Sequence, residues 1–389
     1  MDLQESLKAL NCCVVIPTYN NEKTLEQVVS ETLSLIGEES DVIVINDGST
    51  DNSTSILNSC EENIELISYA KNQGKGYALR LGFARAIELG YDRVITIDSD
   101  GQHYPDDIHS ILAVSHNNPH SVVMGTRNMK QESVPGKSSL GNKISNFWFK
   151  VETFISLDDT QTGFRLYPLK PISEIRLFSK KFELETELIV RLAWKGVTFK
   201  QASVKVLYDE TERVTHFRPF KDFLRISVLN TILFTLCLVY YYPKRLFSLD
   251  TLRVIRKEAI KPDESNLNKA LSIGFGCFMG VVPIWGLQLL VGLPFAVLFR
   301  LNKVLFIAAS NISIPPFIPI IIYTSLLFGQ YVSGGAFELP EISDTSIESV
   351  TANMVMYITG ALIFATVLAV FSFVVSLTLL QLFRTKKEE

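Results

Sequence analysis

Two aspartates, Asp98 and Asp100, stand at i and i+2 where the apolar run 94–97 ends. Carboxylates so spaced can both turn toward one cation if a tight turn follows, and Gly101 favours that turn. Hard oxygen donors of this kind suit Mg2+ or Mn2+, which keep several waters and take up substrate phosphates. The same residues also describe a polar turn where a buried strand surfaces, and on spacing alone both readings stand. Asp106 and Asp107, following Pro105, read as first-turn residues of a helix. Asp47, in NDGSTD (46–51), also ends an apolar run, where a carboxylate can hydrogen-bond a nucleobase or ribose. Lys75, in KNQGKG (71–76), can neutralise phosphate, and its flanking glycines let backbone approach a ligand. Neither a complete P-loop nor a G-x-G-x-x-G pattern is present, which disfavours an NTPase or a dehydrogenase.

These residues need a scaffold that gathers them. Short runs rich in Val and Ile (13–17, 41–46, 64–69, 93–98) alternate with amphipathic stretches (22–37, 51–60, 76–89), the pattern of an α/β domain with a mostly parallel sheet and helices on both faces. In such a sheet ligands bind at the carboxyl ends of the strands. The segments that follow the strands, PTYNNE (17–22), NDGSTD, KNQGKG and DSDGQH (98–103), are all polar, so their convergence predicts a polar ligand site on one edge.

The chain has 389 residues, 47% of them hydrophobic and 20% charged, with a net charge of −4. No basic footprint of a nucleic-acid binder is present, so nucleic acid is not an expected partner. The apolar excess is concentrated after about Phe223, in the runs 223–243, 270–299, 304–329 and 354–383. They predict a membrane-embedded C-terminal region behind a soluble N-terminal one. The first residues, MDLQESLKALN, lack the cationic start and apolar core of a signal peptide, so the first domain is expected on the cytoplasmic side. Five cysteines without CxxC pairing fit a reducing compartment and speak against a zinc site or a disulfide framework.

The charges between the apolar runs constrain their topology. Lys244, Arg245, Arg253, Arg256, Lys257, Lys261, Lys269, Arg300, Lys303, Arg384, Lys386 and Lys387 are expected inside, and Glu338, Glu341, Asp344 and Glu348 in an outer loop. That assignment predicts a first run lying at the interface or entering partway, a second dipping in and returning at VPIWG, a third crossing outward beyond IPPFIP, and a fourth returning. Leu246, Leu249 and Leu252 with Arg253, Arg256 and Lys257 are spaced for an amphipathic surface helix.

Six stretches in order, VVIPTYNNEKTL, VINDGSTDNS, NQGKGYAL, IDSDGQHYPDDI, GTRN and TGFRLYP, resemble the inverting family 2 glycosyltransferases of GT-A fold, in particular the dolichyl-phosphate mannose and polyprenyl-phosphate sugar synthases. The likeness spans residues 12–217. It implies that Pro17, Tyr19, Glu22 and Asp47 frame the base and ribose of a UDP- or GDP-sugar. Asp98, Asp100 and Gln102 would hold Mg2+ or Mn2+ on the diphosphate, and Arg127 and Arg165 would contact phosphates, each with a structural ion pair as its plain alternative.

An alcohol acceptor would require a general base, whereas a lipid phosphate is already anionic at neutral pH. The segment 182–196 carries Glu183, Glu185 and Glu187, and the family's E-x-x-x-R pattern ahead of Arg191 selects Glu187 for the acceptor site. The family's Gly-x-Ser-Lys run is replaced by ETERVTHFRPF, with Arg213 in the place of its arginine and His216 where its lysine is expected. GFGCFMGVVPIWGLQ and SNISIPPFIP also resemble a small bacterial membrane domain of no assigned activity.

The expected organisation is a GT-A domain over 1–218, interfacial helices and a basic linker over 219–267, and a helical membrane domain over 268–389. The expected protein is a multi-pass enzyme of the bacterial inner membrane, facing the cytoplasm, that moves a sugar to a polyprenyl-phosphate-type lipid. A diacylglycerol-type or other lipid hydroxyl is the alternative acceptor. A transporter with a regulatory sugar-nucleotide-binding domain is the alternative of another class.

Overall fold

The computed structural model describes residues 3–36, 41–127, 136–207, 219–246, 248–284, 286–314, 317–334 and 347–388. The chain divides into two compact units, Met1–Thr235 and Leu236–Glu389.

The first unit is built on seven strands, β1 (Cys12–Thr18), β2 (Val42–Asn46), β3 (Glu65–Ser68), β4 (Arg93–Thr96), β5 (Val122–Arg127), β6 (Arg165–Pro168) and β7 (Phe199–Val204), in the order β3-β2-β1-β4-β6-β5-β7. Side chains alternate between faces along a strand, and each face has its own core. Val14 and Ile16 point into a cluster with Leu25, Val28 and Ile111, while Cys13 and Val15 point into another with Leu79, Phe83 and Leu188. Both faces of the central strands are therefore apolar, which is why β1 reads as an uninterrupted run.

The one antiparallel member is β6, paired with β4 (Thr96 with Arg165) and with β5 (Met124 with Arg165). Because β6 runs backward, its first residues lie at the edge where its neighbours end. The segment TGFR thus joins the loops that follow β1, β2 and β4. A mostly parallel sheet was expected, and this single reversal is what adds a fifth segment to the site edge.

The helix Pro219–Leu236 buries Leu229 and Leu233 in the second of these cores, with Phe234 edge-on to Trp148 at 6.0 Å. Its outer residues Phe223, Leu224, Val228 and Ile232 are exposed. The stretch Lys221–Leu246, 26 residues, is long and apolar enough to cross a membrane, as is Met354–Leu382 with 29. The first run was expected to lie at the interface or enter partway; its helix is also long enough for a full crossing.

In the second unit the run 270–299 breaks as anticipated, into Asn266–Val281 and Gln288–Leu298. Gln288–Leu298 and Lys303–Ser310, of 11 and 8 residues, are too short to span a hydrocarbon core of about 30 Å at 1.5 Å per residue. The third run, expected to cross, forms Ile318–Val332, whose 15 residues also fall short. Small residues seat these helices: a Cβ on Gly276 would lie 2.6 Å from both Ala309 Cβ and Phe306 O. Asn302 ties the polar end together, donating to Glu264 at 2.6 Å and Glu258 at 3.1 Å while its N–H reaches Ser272 Oγ at 2.8 Å. The helix Leu249–Ala259 leaves Leu249, Leu252 and Val254 exposed beside its basic residues.

Candidate active site

The four polar loops expected to converge do so through a continuous set of hydrogen bonds. From the β1 loop, Asn21 Nδ2 donates to Ser99 Oγ at 2.6 Å and Thr24 Oγ1 to Ser99 O at 2.7 Å, while Ser99 Oγ donates back to Pro17 O at 3.1 Å. Glu22 is exposed and holds the β2 loop, accepting from Asn52 N at 2.9 Å while its own N–H donates to Asp51 at 3.1 Å. Tyr19, in the β1 loop, is half-buried, and Pro17 is buried inside β1. Asp47 is buried and accepts from Gln73 N at 2.6 Å, Gly74 N at 2.8 Å and Asn72 Nδ2 at 3.0 Å. It therefore shapes the KNQGKG loop, with both oxygens turned to that loop.

Gly48 and Gly74 adopt positive φ, +68° and +105°, and neither has room for a side chain. A Cβ on Gly48 would lie 2.6 Å from Asn72 N, and one on Gly74 3.0 Å from Lys180 O. The chain needs glycine here because three loops meet backbone to backbone.

Lys75 opens the helix Lys75–Glu88, and its ammonium bridges two carboxylates. It lies 2.7 and 3.0 Å from the oxygens of Asp98 and 2.9 Å from Glu185. Burial by itself would depress the lysine pKa, but the two carboxylates outweigh it and raise it. For Asp98 burial opposes ionisation, and Lys75 reverses the balance, holding the carboxyl below its usual range. Gly163 makes this approach possible: a Cβ there would sit 2.1 Å from Asp98 Oδ2.

Asp100 accepts from Gln102 N at 3.0 Å, closing a turn through Gly101 at φ +72°. Among the described residues no three His, Cys, Asp or Glu side chains converge. Asp98, Asp100 and Gln102 bring two carboxylates and one amide to a single short loop. That set suits a hard ion which completes its shell with waters and phosphate oxygens, so these residues fit Mg2+ or Mn2+ and not zinc. The next residue, His103, is buried with Nδ1 lacking a hydrogen-bond partner among the described residues, its ring 5.4 Å from Phe164. Burial pushes its pKa down to about 4, so the imidazole is neutral at physiological pH.

Three expected residues occupy places that redefine their roles. Arg127 makes a two-pronged ion pair with the buried Asp159, at 2.6 and 2.9 Å. Arg165 is 1% exposed, and its nitrogens already face Thr162 O (2.6 Å), Tyr167 Oη (2.8 Å), Thr160 O (3.0 Å), Glu185 O (3.1 Å) and Glu185 Oε1 (3.8 Å). Four hydrogen bonds to protein and near-complete burial fix this guanidinium, which holds the 160–165 turn and the Glu185 backbone where a phosphate contact was expected.

Glu187, selected for the acceptor site, is fully buried and faces away from that site. It accepts from Phe178 N, Ser179 N (2.8 Å) and Arg191 Nε (2.7 Å). The carboxylate that does reach the site is Glu185, two residues earlier. A shift of two residues on a helix turns a side chain through about 200°, which separates the two faces. Arg213 and His216 lie outside the described residues.

Residues 13–176 match the family model described as Glycosyl transferase family 2, and residues 252–389 that of an uncharacterized protein conserved in bacteria (DUF2062). A UDP-N-acetylglucosamine–dolichyl-phosphate N-acetylglucosaminyltransferase of Methanococcus voltae is 29% identical over 242 residues, 56% of this chain and 95% of its own length. An uncharacterized protein of Methanocaldococcus jannaschii is 30% identical over 212 residues, 50% of this chain and 88% of its own. Among solved structures, glucosyl-3-phosphoglycerate synthase from Mycobacterium tuberculosis, bound to Mn2+, UDP and phosphoglyceric acid, superposes with a TM-score of 0.45 at 18% identity, covering 60% of this chain and 81% of that one.

Proposed function

The chain belongs to glycosyl transferase family 2, and from that premise we propose that it transfers a sugar from a UDP- or GDP-sugar to a polyprenyl phosphate at the bacterial inner membrane, with the catalytic domain facing the cytoplasm. A phosphate oxygen of the lipid forms the new bond to the anomeric carbon as the bond to the nucleoside diphosphate breaks, with inversion. The lipid phosphate is already ionised, so no proton has to be removed from it.

The observation that carries the acceptor assignment is the state of two carboxylates on the helix Glu183–Trp194, Glu185 and Glu187. Glu187 is buried and saturated, and Glu185 is paired with Lys75 at 2.9 Å. A carboxylate neutralised by a lysine is a poor base, which favours an anionic acceptor over a lipid hydroxyl. The Methanococcus relative, matched over 95% of its length, is named for a dolichyl-phosphate acceptor and a UDP-sugar donor, which supports the same reading.

Asp98, Asp100 and Gln102 would hold the divalent ion, which when bound supplies positive charge against the departing diphosphate. Lys75 adds a second cation beside Asp98, and Asp47 keeps the KNQGKG loop in the shape that brings Lys75 there. Pro17, Tyr19 and Glu22 line the β1 loop, where the base and ribose would lie. Arg127, ion-paired to Asp159, stands at the end of β5 on the same sheet edge. The two helices of membrane-crossing length would hold the chain at the bilayer, where such an acceptor resides.

Purified full-length chain, given labelled UDP- and GDP-sugars with Mg2+, should label added polyprenyl phosphate and leave diacylglycerol unlabelled. Transfer to diacylglycerol alone would overturn the acceptor assignment, and full turnover by Asp100→Asn at saturating metal would overturn the metal assignment.

A further inference from the structure

The turn between β6 and the helix Glu183–Trp194 presents a feature the transfer reaction does not use. Phe178 is 70% exposed, yet its backbone is held by a buried carboxylate. Both oxygens of the fully buried Glu187 lie 3.0–3.1 Å from its backbone N–H, and one also accepts from Ser179 N at 2.8 Å. Glu187 in turn holds Arg191 at 2.7 Å, and the guanidinium carbon of Arg191 sits 4.8 Å from the centre of the Phe178 ring. A buried carboxylate needs such partners to be tolerated at all. Here the whole set of partners fixes an aromatic ring that faces solvent.

The surrounding residues indicate what the ring meets. From 175 to 182 the chain reads IRLFSKKF, with three cations and no acid, and Arg176 and Lys180 are exposed on either side of Phe178. An aromatic ring flanked by long basic side chains matches the interface of a bilayer that carries anionic lipid: the ring enters the headgroup layer while the cations meet phosphates. The same chain carries two helices long and apolar enough to cross a membrane, so a bilayer is the surface most available to it.

We propose that the 176–181 turn is a membrane-docking element that seats the catalytic domain on anionic lipid through Phe178, Arg176 and Lys180. Its backbone also belongs to the site wall. Tyr77 N donates to Lys180 O at 2.8 Å, and a Cβ on Gly76 would lie 2.5 Å from Lys181 O. Docking therefore fixes the height of the Lys75 loop above the headgroups. Glu187 is a positioning residue in this arrangement. The inference does not depend on which sugar, nucleotide or acceptor the enzyme uses.

The test uses the full-length chain in nanodiscs, with Cys60→Ser removing the one cysteine that is not buried. Phe178→Cys carries an environment-sensitive fluorophore, and a control label at the exposed His116, before β5 on the opposite sheet edge, uses His116→Cys. Both substituted side chains are exposed, so folding is not at stake. In discs of mixed phosphatidylcholine and phosphatidylglycerol, nitroxide-bearing lipid should quench the label at 178 and leave the label at 116 bright. Arg176→Gln and Lys180→Gln should each lower docking about fivefold. Equal quenching in pure phosphatidylcholine, or none in the mixed discs, would overturn the proposal. So would a label at 178 shielded from water but not quenched, which would show a protein partner instead of lipid.

Discussion

Gly163→Ala is a substitution whose effect can be worked from one contact. The β-carbon would be placed 2.1 Å from Asp98 Oδ2 and 2.6 Å from its Cγ, whereas ordinary contact begins at 3.4 Å. Gly163 cannot retreat, because its carbonyl is held by the buried Thr96 Oγ1 at 2.8 Å. Its φ is not in the left-handed region, so alanine brings no backbone strain. The Asp98 carboxylate must yield instead, by about 1.3 Å, a displacement of the size that costs on the order of 100-fold in rate when a reacting group is misplaced. Lys75, 2.7 Å from Asp98, then keeps only Glu185. The expected result is a loss of transfer activity on the order of 100-fold, with Mn2+ binding by electron paramagnetic resonance weakened and the melting temperature little changed. Wild-type turnover and Mn2+ affinity in Gly163→Ala would show that the position of Asp98 is not what the site depends on.

Other changes separate the parts of the site. Lys75→Met should lower turnover yet tighten Mn2+ binding in the absence of donor, because Asp98 loses the ammonium that competes for its oxygens; unchanged or weaker Mn2+ affinity would contradict that competition. Glu187→Gln should destabilise the first unit by roughly 1–3 kcal/mol in denaturant titration, since two backbone amides and Arg191 lose a charged acceptor. Gly276→Leu should lower the thermal stability of the full chain in detergent, because Ala309 and Phe306 O leave no room for the side chain.

Much of this was legible from the residues. β1, β2 and β4 announce themselves as apolar runs because both of their faces are covered, and the polar segments behind them must share an edge once the strands are parallel. The reversal of β6 was not legible: four residues, Arg165–Pro168, carry no periodicity that states a direction. For the same reason the approach of Gly163 to Asp98 could not be foreseen, although the two meet across the antiparallel pair.

The choice between Glu185 and Glu187 turned on the E-x-x-x-R spacing, which the structure shows to be an i,i+4 ion pair of Glu187 with Arg191. That spacing marks one helix face without saying whether the face is buried. The burial of Arg165 was equally hidden, since an arginine in a sequence looks the same whether its donors face phosphates or carbonyls. In the apolar second unit the breaks at VPIWG and IPPFIP were readable from Pro and Gly. The extension of the first helical stretch to Leu246, beyond Lys244 and Arg245, was not.

The central claim is tested most directly by incubating membranes containing the protein with a panel of labelled UDP- and GDP-sugars and Mg2+ or Mn2+, then extracting the lipids. A sugar on a lipid phosphate is released by mild acid, and a glycoside of a lipid hydroxyl is not. The expected result is one metal-dependent labelled lipid that mild acid cleaves, absent in Asp100→Asn. An acid-stable labelled lipid, or label that never enters the lipid fraction with any donor, would contradict it.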